Sequence, residues 1–173
     1  MITSPMFRRL KGVGGTVEDL TARFTASITC GDLDMAALSL DRMSKFPHID
    51  PDFFLDLHNT YLESVVDQMI NTRRSDEALS KALAMQTWFE VKLPRGRTLQ
   101  PDARTMAIML RMALRMLHGS RRDRTVRRYW NMVVEKQFET EVIAMSDLLN
   151  DRDWGEISQV SCFEPQRRRY RTF

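Results

Sequence analysis

The chain has 173 residues, 43% of them hydrophobic and 28% charged, a composition of globular proteins that excludes a disordered chain. Two cysteines far apart, Cys30 and Cys162, give neither a disulfide framework nor a zinc pattern, and no apolar run is long enough to span a bilayer. The net charge of +3 says little about partners, but its placement says more: five arginines crowd residues 121–128 and four crowd 167–171, while acids gather in 18–56 and 135–156.

In chain order, residues 1–15 read as a flexible leader. Arg8, Arg9 and Lys11 precede the first acid, Glu18, as in a mitochondrial transit peptide, but Pro5, Gly12, Gly14 and Gly15 interrupt the amphipathic helix such a peptide needs. From Thr16 onward no segment alternates like a strand, and Met, Leu, Ala and Arg favour helix. Thr16, with Asp19 three residues on, predicts a capped helix carrying Val17, Leu20, Phe24 and Ile28 on one face. Gly31-Asp32 ends it, a second helix runs from Leu33 to about Phe46, and Pro47 closes the pair. A second pair starts at Asp50-Pro51 with Phe54, Leu57, Leu62, Val65, Met69 and Ile70 apolar, turns at 71–75, and resumes with Ser75 as N-cap. Trp88 and Phe89 end that run, where they are expected to bury the second pair against a third. Residues 94–98 read as a loop.

The third pair begins at Pro101-Asp102, where Asp102 suits the positive end of a helix dipole. Ala103, Met106, Ala107, Leu110, Ala113, Leu114 and Leu117 recur at steps of three and four, the period of an amphipathic helix. His118-Gly119-Ser120 stops it and another helix starts near Asp123, carrying Val126, Tyr129, Trp130 and Val133. Short helices are expected at 139–149 and 154–160, the latter capped by Asp153. Each pair buries one face on itself and needs a neighbour for the other, the logic of an α-solenoid. The domain reading is therefore a leader (1–15), an all-α domain of antiparallel helix pairs (16–160) and a basic tail or linker (161–173).

Candidate chemistry is sparse. Arg121, Arg124, Arg127 and Arg128, with Arg122 beside them, read either as a stripe for nucleic-acid phosphate or as a solvated face pairing with acids. In the tail, Arg167, Arg168, Arg169 and Arg171 around Tyr170 suit single-strand contact or a plain linker. His48, His58 and His118 have no metal-ligand spacing, so no metal and no cofactor is expected. Glu63 and Asp67, four apart, read as a surface face rather than an acid–base pair, and Cys30 as a small buried hydrophobe. Met109, Met112 and Met116 read as core filling. No catalytic residue and no small-molecule substrate is identified.

Pro101-Asp102, Thr105 and Leu110 resemble the opening of a pentatricopeptide repeat. More specifically, Leu55-Asp-Leu-His-Asn-Thr-Tyr-Leu62, Trp88-Phe-Glu-Val91 and the stretch from Ile108 to Trp130 resemble, in order, the N-terminal region of fungal mitochondrial DNA-directed RNA polymerases, the single-subunit, phage-related family. The resemblance covers residues 16 to 160 and implies a pentatricopeptide-like α-solenoid in the mitochondrial matrix. It also implies a place ahead of the promoter-binding and catalytic domains, near emerging RNA, in a piece of an enzyme that lacks the enzyme's metal-binding aspartates. Implied partners are RNA or DNA backbone, the polymerase catalytic domain or a mitochondrial transcription factor. The base-reading places of such a repeat fall here on Ala107 and Asp102, and alanine has no hydrogen bond to offer. Two alternatives stay open: a stand-alone organellar pentatricopeptide RNA-binding protein, and a protein–protein adaptor that binds no nucleic acid.

Overall fold

Short polar side chains set where the helices begin. The computed structural model describes residues 15–72, 74–96 and 99–161, and every regular element among them is helical. In front of α1 (Val17–Cys30), Thr16 Oγ1 accepts from the Asp19 N–H at 3.2 Å and Asp19 Oδ2 from the Thr16 N–H at 3.1 Å. This box satisfies two donors that lack intrahelical partners. Gly31, at φ +74°, ends α1 with its own N–H returned to Ile28 and that of Asp32 to Ser27, a left-handed closure that glycine adopts without a Cβ clash. Asp32 at once caps α2 (Leu33–Met43), so a single turn folds the first pair into a hairpin. Asp50 caps α3 (Pro51–Ile70), with Pro51 in the first turn, where an absent N–H is tolerated.

Several boundaries differ from the sequence expectation. Ser75 is the first residue of α4 (Ser75–Thr87), not its cap; Arg74 holds the cap position without a side-chain bond. α4 then widens into a π-turn (Trp88–Lys92), closed by the Leu93 N–H on the Trp88 carbonyl, and a short α5 (Leu93–Arg95) replaces the start of the expected loop. Asp102 is the N-cap of α6 (Ala103–Met116), with Pro101 one residue ahead of it. α7 (Gly119–Glu135) starts four residues before Asp123, because Gly119 accepts φ +58° and lets Leu117 and His118 make the whole turn. After α8 (Glu139–Ala144) comes α9 (Asp151–Ser161), whose cap is Asn150. Asp153 reciprocates from the third helical position, each side chain accepting the other's N–H at 3.0 Å.

The fold is an all-α helical-repeat solenoid, with α6 at its centre. α3, α4, α7, α8 and α9 all pack on α6, and α3 packs on it more extensively than on its sequence neighbour α4. Eleven of the 14 residues of α6 are buried. A helix apolar on nearly every side belongs inside a core, and Met109, Met112 and Met116 fill that core as expected. A smaller cluster joins Leu20, Phe24, Ala36, Leu40 and Met43 to Phe54 and Leu57, so the first half of α3 serves the first pair and its second half the main core.

The three α6 residues left outside the core are arginines. Arg104 donates to Asp56 at 2.7 Å and Glu63 at 2.9 Å, Arg111 donates to Asp67 at 2.6 Å, and Arg115 lies 2.6 Å from buried Asp153 of α9. Glu63 and Asp67 thus receive α6 rather than form a free surface face. Phe89 carries most of the junction of the second pair with the third: it is buried and meets the Tyr129 ring edge-on at 5.2 Å, while Trp88 packs against the same core only partly buried. Phe89→Ala should therefore cost about 3–5 kcal/mol, and Trp88→Ala clearly less; denaturant midpoints of the two variants check the order. A second test lies after α7, where Gln137 sits at φ +60° inside a closure of the Gly31 kind. Gln137→Gly should stabilise the fold by about 0.5–1 kcal/mol, since glycine takes that conformation without strain, which a thermal melt would register.

Candidate nucleic-acid interface

Arginine placement on α7 follows from which residues the core claims. Thr125, Val126, Tyr129, Trp130 and Val133 are buried on a helix that packs on α6, α9 and α8, with Thr125 Oγ1 also accepting from Gln86 of α4 at 3.5 Å. At 3.6 residues per turn, this leaves Arg121, Arg124, Arg127 and Arg128 within about a third of the helix circumference on the opposite side, and all four are exposed. Arg122 falls on the buried side. It reaches α9 instead, where Nη1 donates to Glu156 Oε2 at 3.1 Å, and its Nε donates to Asp123 at 3.2 Å.

The exposed four are not equally available. Arg128 pairs with Glu90 of the π-turn and lies over the Tyr129 ring, its Cζ 5.5 Å from the ring centroid. Arg127 Nε donates to the Val160 carbonyl at 3.0 Å, and Arg124 Nε to the Ser120 carbonyl at 3.3 Å. Among the described residues Arg121 and Arg124 have no acidic partner. Each arginine of this face keeps unspent donors, so a phosphate has a fork to meet. Glu135 closes the C-terminal end of the same face. The tail residues Arg167, Arg168, Arg169 and Arg171 lie outside the described residues.

The two positions that the resemblance set at the base-reading places fare differently. Ala107 is fully buried, and Asp102 is committed to the helix: its Oδ1 accepts from the Thr105 N–H and Thr105 Oγ1, each at 2.8 Å, and from Asn59 Nδ2 at 3.2 Å. Ala107 is thus closed to a base, and Asp102, though exposed, has its Oδ1 taken by the helix start. Cys30 is exposed rather than buried, because it stands in the last turn of α1 beside Gly31. No cluster of potential metal ligands occurs among the described residues, and no helix among them is long and apolar enough to cross a membrane.

One feature had no counterpart in the sequence reading: an apolar groove of about 620 Å³ between α2 and α4, floored by α3. Its aromatic wall is a stack in which His58 meets Phe54 edge-on at 4.6 Å and lies nearly parallel to Trp88 at 4.9 Å. Phe54 and His58 are four apart, one turn of α3, but Trp88 reaches them only because the π-turn redirects the end of α4, a rotation that helical periodicity does not anticipate.

The family model for RPO41-like TPR repeats matches residues 3–170. The chain belongs to that family. It is also 28% identical, over 142 residues, to the mitochondrial DNA-directed RNA polymerase of Neurospora crassa, an alignment covering 79% of this chain and 10% of that protein. The chain thus spans about a tenth of the length of the curated relative it matches, and the match places it in the mitochondrion. No solved structure matches it at a significant level. The family's description is of TPR repeats, and the helix pairs of this solenoid fit it.

Burial holds the His58 ring neutral and lowers its pKa from 6.5 to about 4. Between those values the unfolded chain binds a proton that the native chain does not, so stability falls as the pH drops through this window and levels off below it. The loss should be up to about 3 kcal/mol. His58→Phe, which keeps the stack but removes the titration, should flatten that part of the profile when denaturation is followed from pH 7 to pH 4.

Proposed function

We propose that this chain is the non-catalytic N-terminal helical domain of a mitochondrial RNA polymerase, and that it supports transcription by holding nucleic-acid backbone against the arginine face of α7. The observation that carries this reading is the exposure of Arg121, Arg124, Arg127 and Arg128 along one side of a helix whose other side is locked into the core. Such a face recognises phosphate and not sequence, because phosphate contacts position a partner while base edges specify it. The burial of Ala107 and the commitment of Asp102 agree with indifference to sequence. The relation to a mitochondrial RNA polymerase supplies the context in which such a face meets RNA or DNA. The repeats, pentatricopeptide-like on this reading, then act as a scaffold for the catalytic domain or a transcription factor.

Filter binding of wild type and an Arg121→Ala/Arg124→Ala/Arg127→Ala variant, at two salt concentrations and with two unrelated RNAs and a DNA duplex, tests the reading. Arg128 is left in place because Glu90 already holds it in the unbound chain. The variant should bind at least tenfold more weakly, and its slope of log K against log salt should be shallower by about 2 on single-stranded RNA. Equal affinity would remove this face from the function. It would favour the protein–protein adaptor, for which the apolar groove beside Trp88 is the corresponding surface.

A further inference from the structure

The arginine row of α7 is flanked by a carboxylate from another element that holds one of its arginines: Glu90, from the π-turn, accepts from Arg128. Glu90 has a second partner, since its Oε1 also accepts the Tyr129 hydroxyl at 2.9 Å. Tyr129 stays protonated, its pKa raised first by burial and then by the bond to Glu90, so its donor is always present. If Arg128 lets go, the carboxylate is not left alone in a poorly solvated place, which is what makes breaking a buried pair expensive. Arg122, on the inner side of α7 and held by both Asp123 and Glu156, takes no part.

The pair is also weak enough to exchange. Arg128 is 52% exposed and Glu90 32%. An ion pair so open to water contributes little, whereas a nucleic-acid backbone presents a dense row of phosphates whose binding releases counterions. We propose that Glu90 is an internal competitor for a phosphate-binding arginine: it holds Arg128 in the unbound chain and releases it, keeping Tyr129 as its own remaining partner, when a polyanion docks. This inference rests on the proposed nucleic-acid contact. Its consequence is selectivity by charge density, since a single small anion gains too little to displace the carboxylate.

A double-mutant cycle on the full chain, read by RNA filter binding at low salt, tests it. Glu90→Gln keeps the side-chain shape and can still accept from Tyr129. Arg128→Ala should weaken binding at least about threefold more in the Glu90→Gln background than in wild type. Glu135→Gln removes an acid from the same face without releasing an arginine, so it should raise affinity without coupling to Arg128→Ala. Coupling at Glu90 and none at Glu135 is the expected result. Binding that still depends on Arg121, Arg124 and Arg127 but shows no coupling at Glu90 overturns the competition alone. Absence of salt-dependent binding in every variant overturns the competition together with the reading beneath it. Circular dichroism of each variant verifies that the helices are intact.

Discussion

The burial of α6 on almost every side is the constraint on which the remaining structure depends. Its 14 residues include 11 that are buried and three arginines, and a helix of that kind cannot exist in water unless other helices cover it. α3 covers one side, α4 and α7 others, and α8 and α9 the end. The start of α6 is fixed with equal strictness. Asp102 at the rim and the buried Thr105 and Asn59 form a polar node in which Thr105 Oγ1 donates within reach of both Asn59 Oδ1 and Asp102 Oδ1 at 2.8 Å. Buried polar groups are tolerated when every member finds a partner, and this node sets the register of α3 against α6.

Charge then finishes what burial begins. Each α6 arginine meets a carboxylate brought by another element: Asp56 and Glu63, Asp67, and Asp153. The first three carboxylates lie along α3 at helical spacing, so their partly exposed pairs add modest register to an interface that apolar packing already holds. Arg115 with Asp153 is different in kind, because Asp153 is 2% exposed and also closes the cap of α9. Removing either partner would leave a charge with little solvent around it, and such a loss disturbs far more than the pair itself contributes. α9 is held to the core by this ion pair and by the edge-on contact of Trp130 with Trp154.

The candidate interface is a by-product of the same packing. α7 turns its apolar side inward, and the arginines left outside become a surface only because Tyr129, Trp130 and Val133 are claimed by the core. The π-turn has two effects at once. It seats Phe89 on Tyr129 and brings Glu90 to Arg128, while on the other side it sets Trp88 against His58 to wall the groove. A solenoid usually offers one continuous binding surface; here the arginine face and the apolar groove are separate surfaces joined by five residues of widened helix.

Periodicity and capping chemistry made the helices legible before any coordinates. Thr16 with Asp19, Gly31-Asp32, Asp50-Pro51 and Asp102 with Thr105 are local signals, and a local signal survives translation into structure because its partners lie within one turn. The arginine row was legible for the same reason, as a run at helical spacing, and so was the family resemblance, which is a property of residue order. Tertiary packing alone decided the rest. The steps of three and four in 103–117 and the methionines at 109, 112 and 116 marked apolar positions of α6, yet Ile108 belongs to neither set and is buried as well, since helices distant in sequence close over it. Periodicity puts Arg122 on the inner side of α7, but its pairing with Glu156 depends on where α9 comes to rest. Trp88 and Phe89 are adjacent, but a π-turn, whose extra residue leaves no mark in the apolar pattern, sends one to the groove and the other to the core. Contacts between elements tens of residues apart are fixed by shape, volume and charge together, and a one-dimensional pattern records none of these.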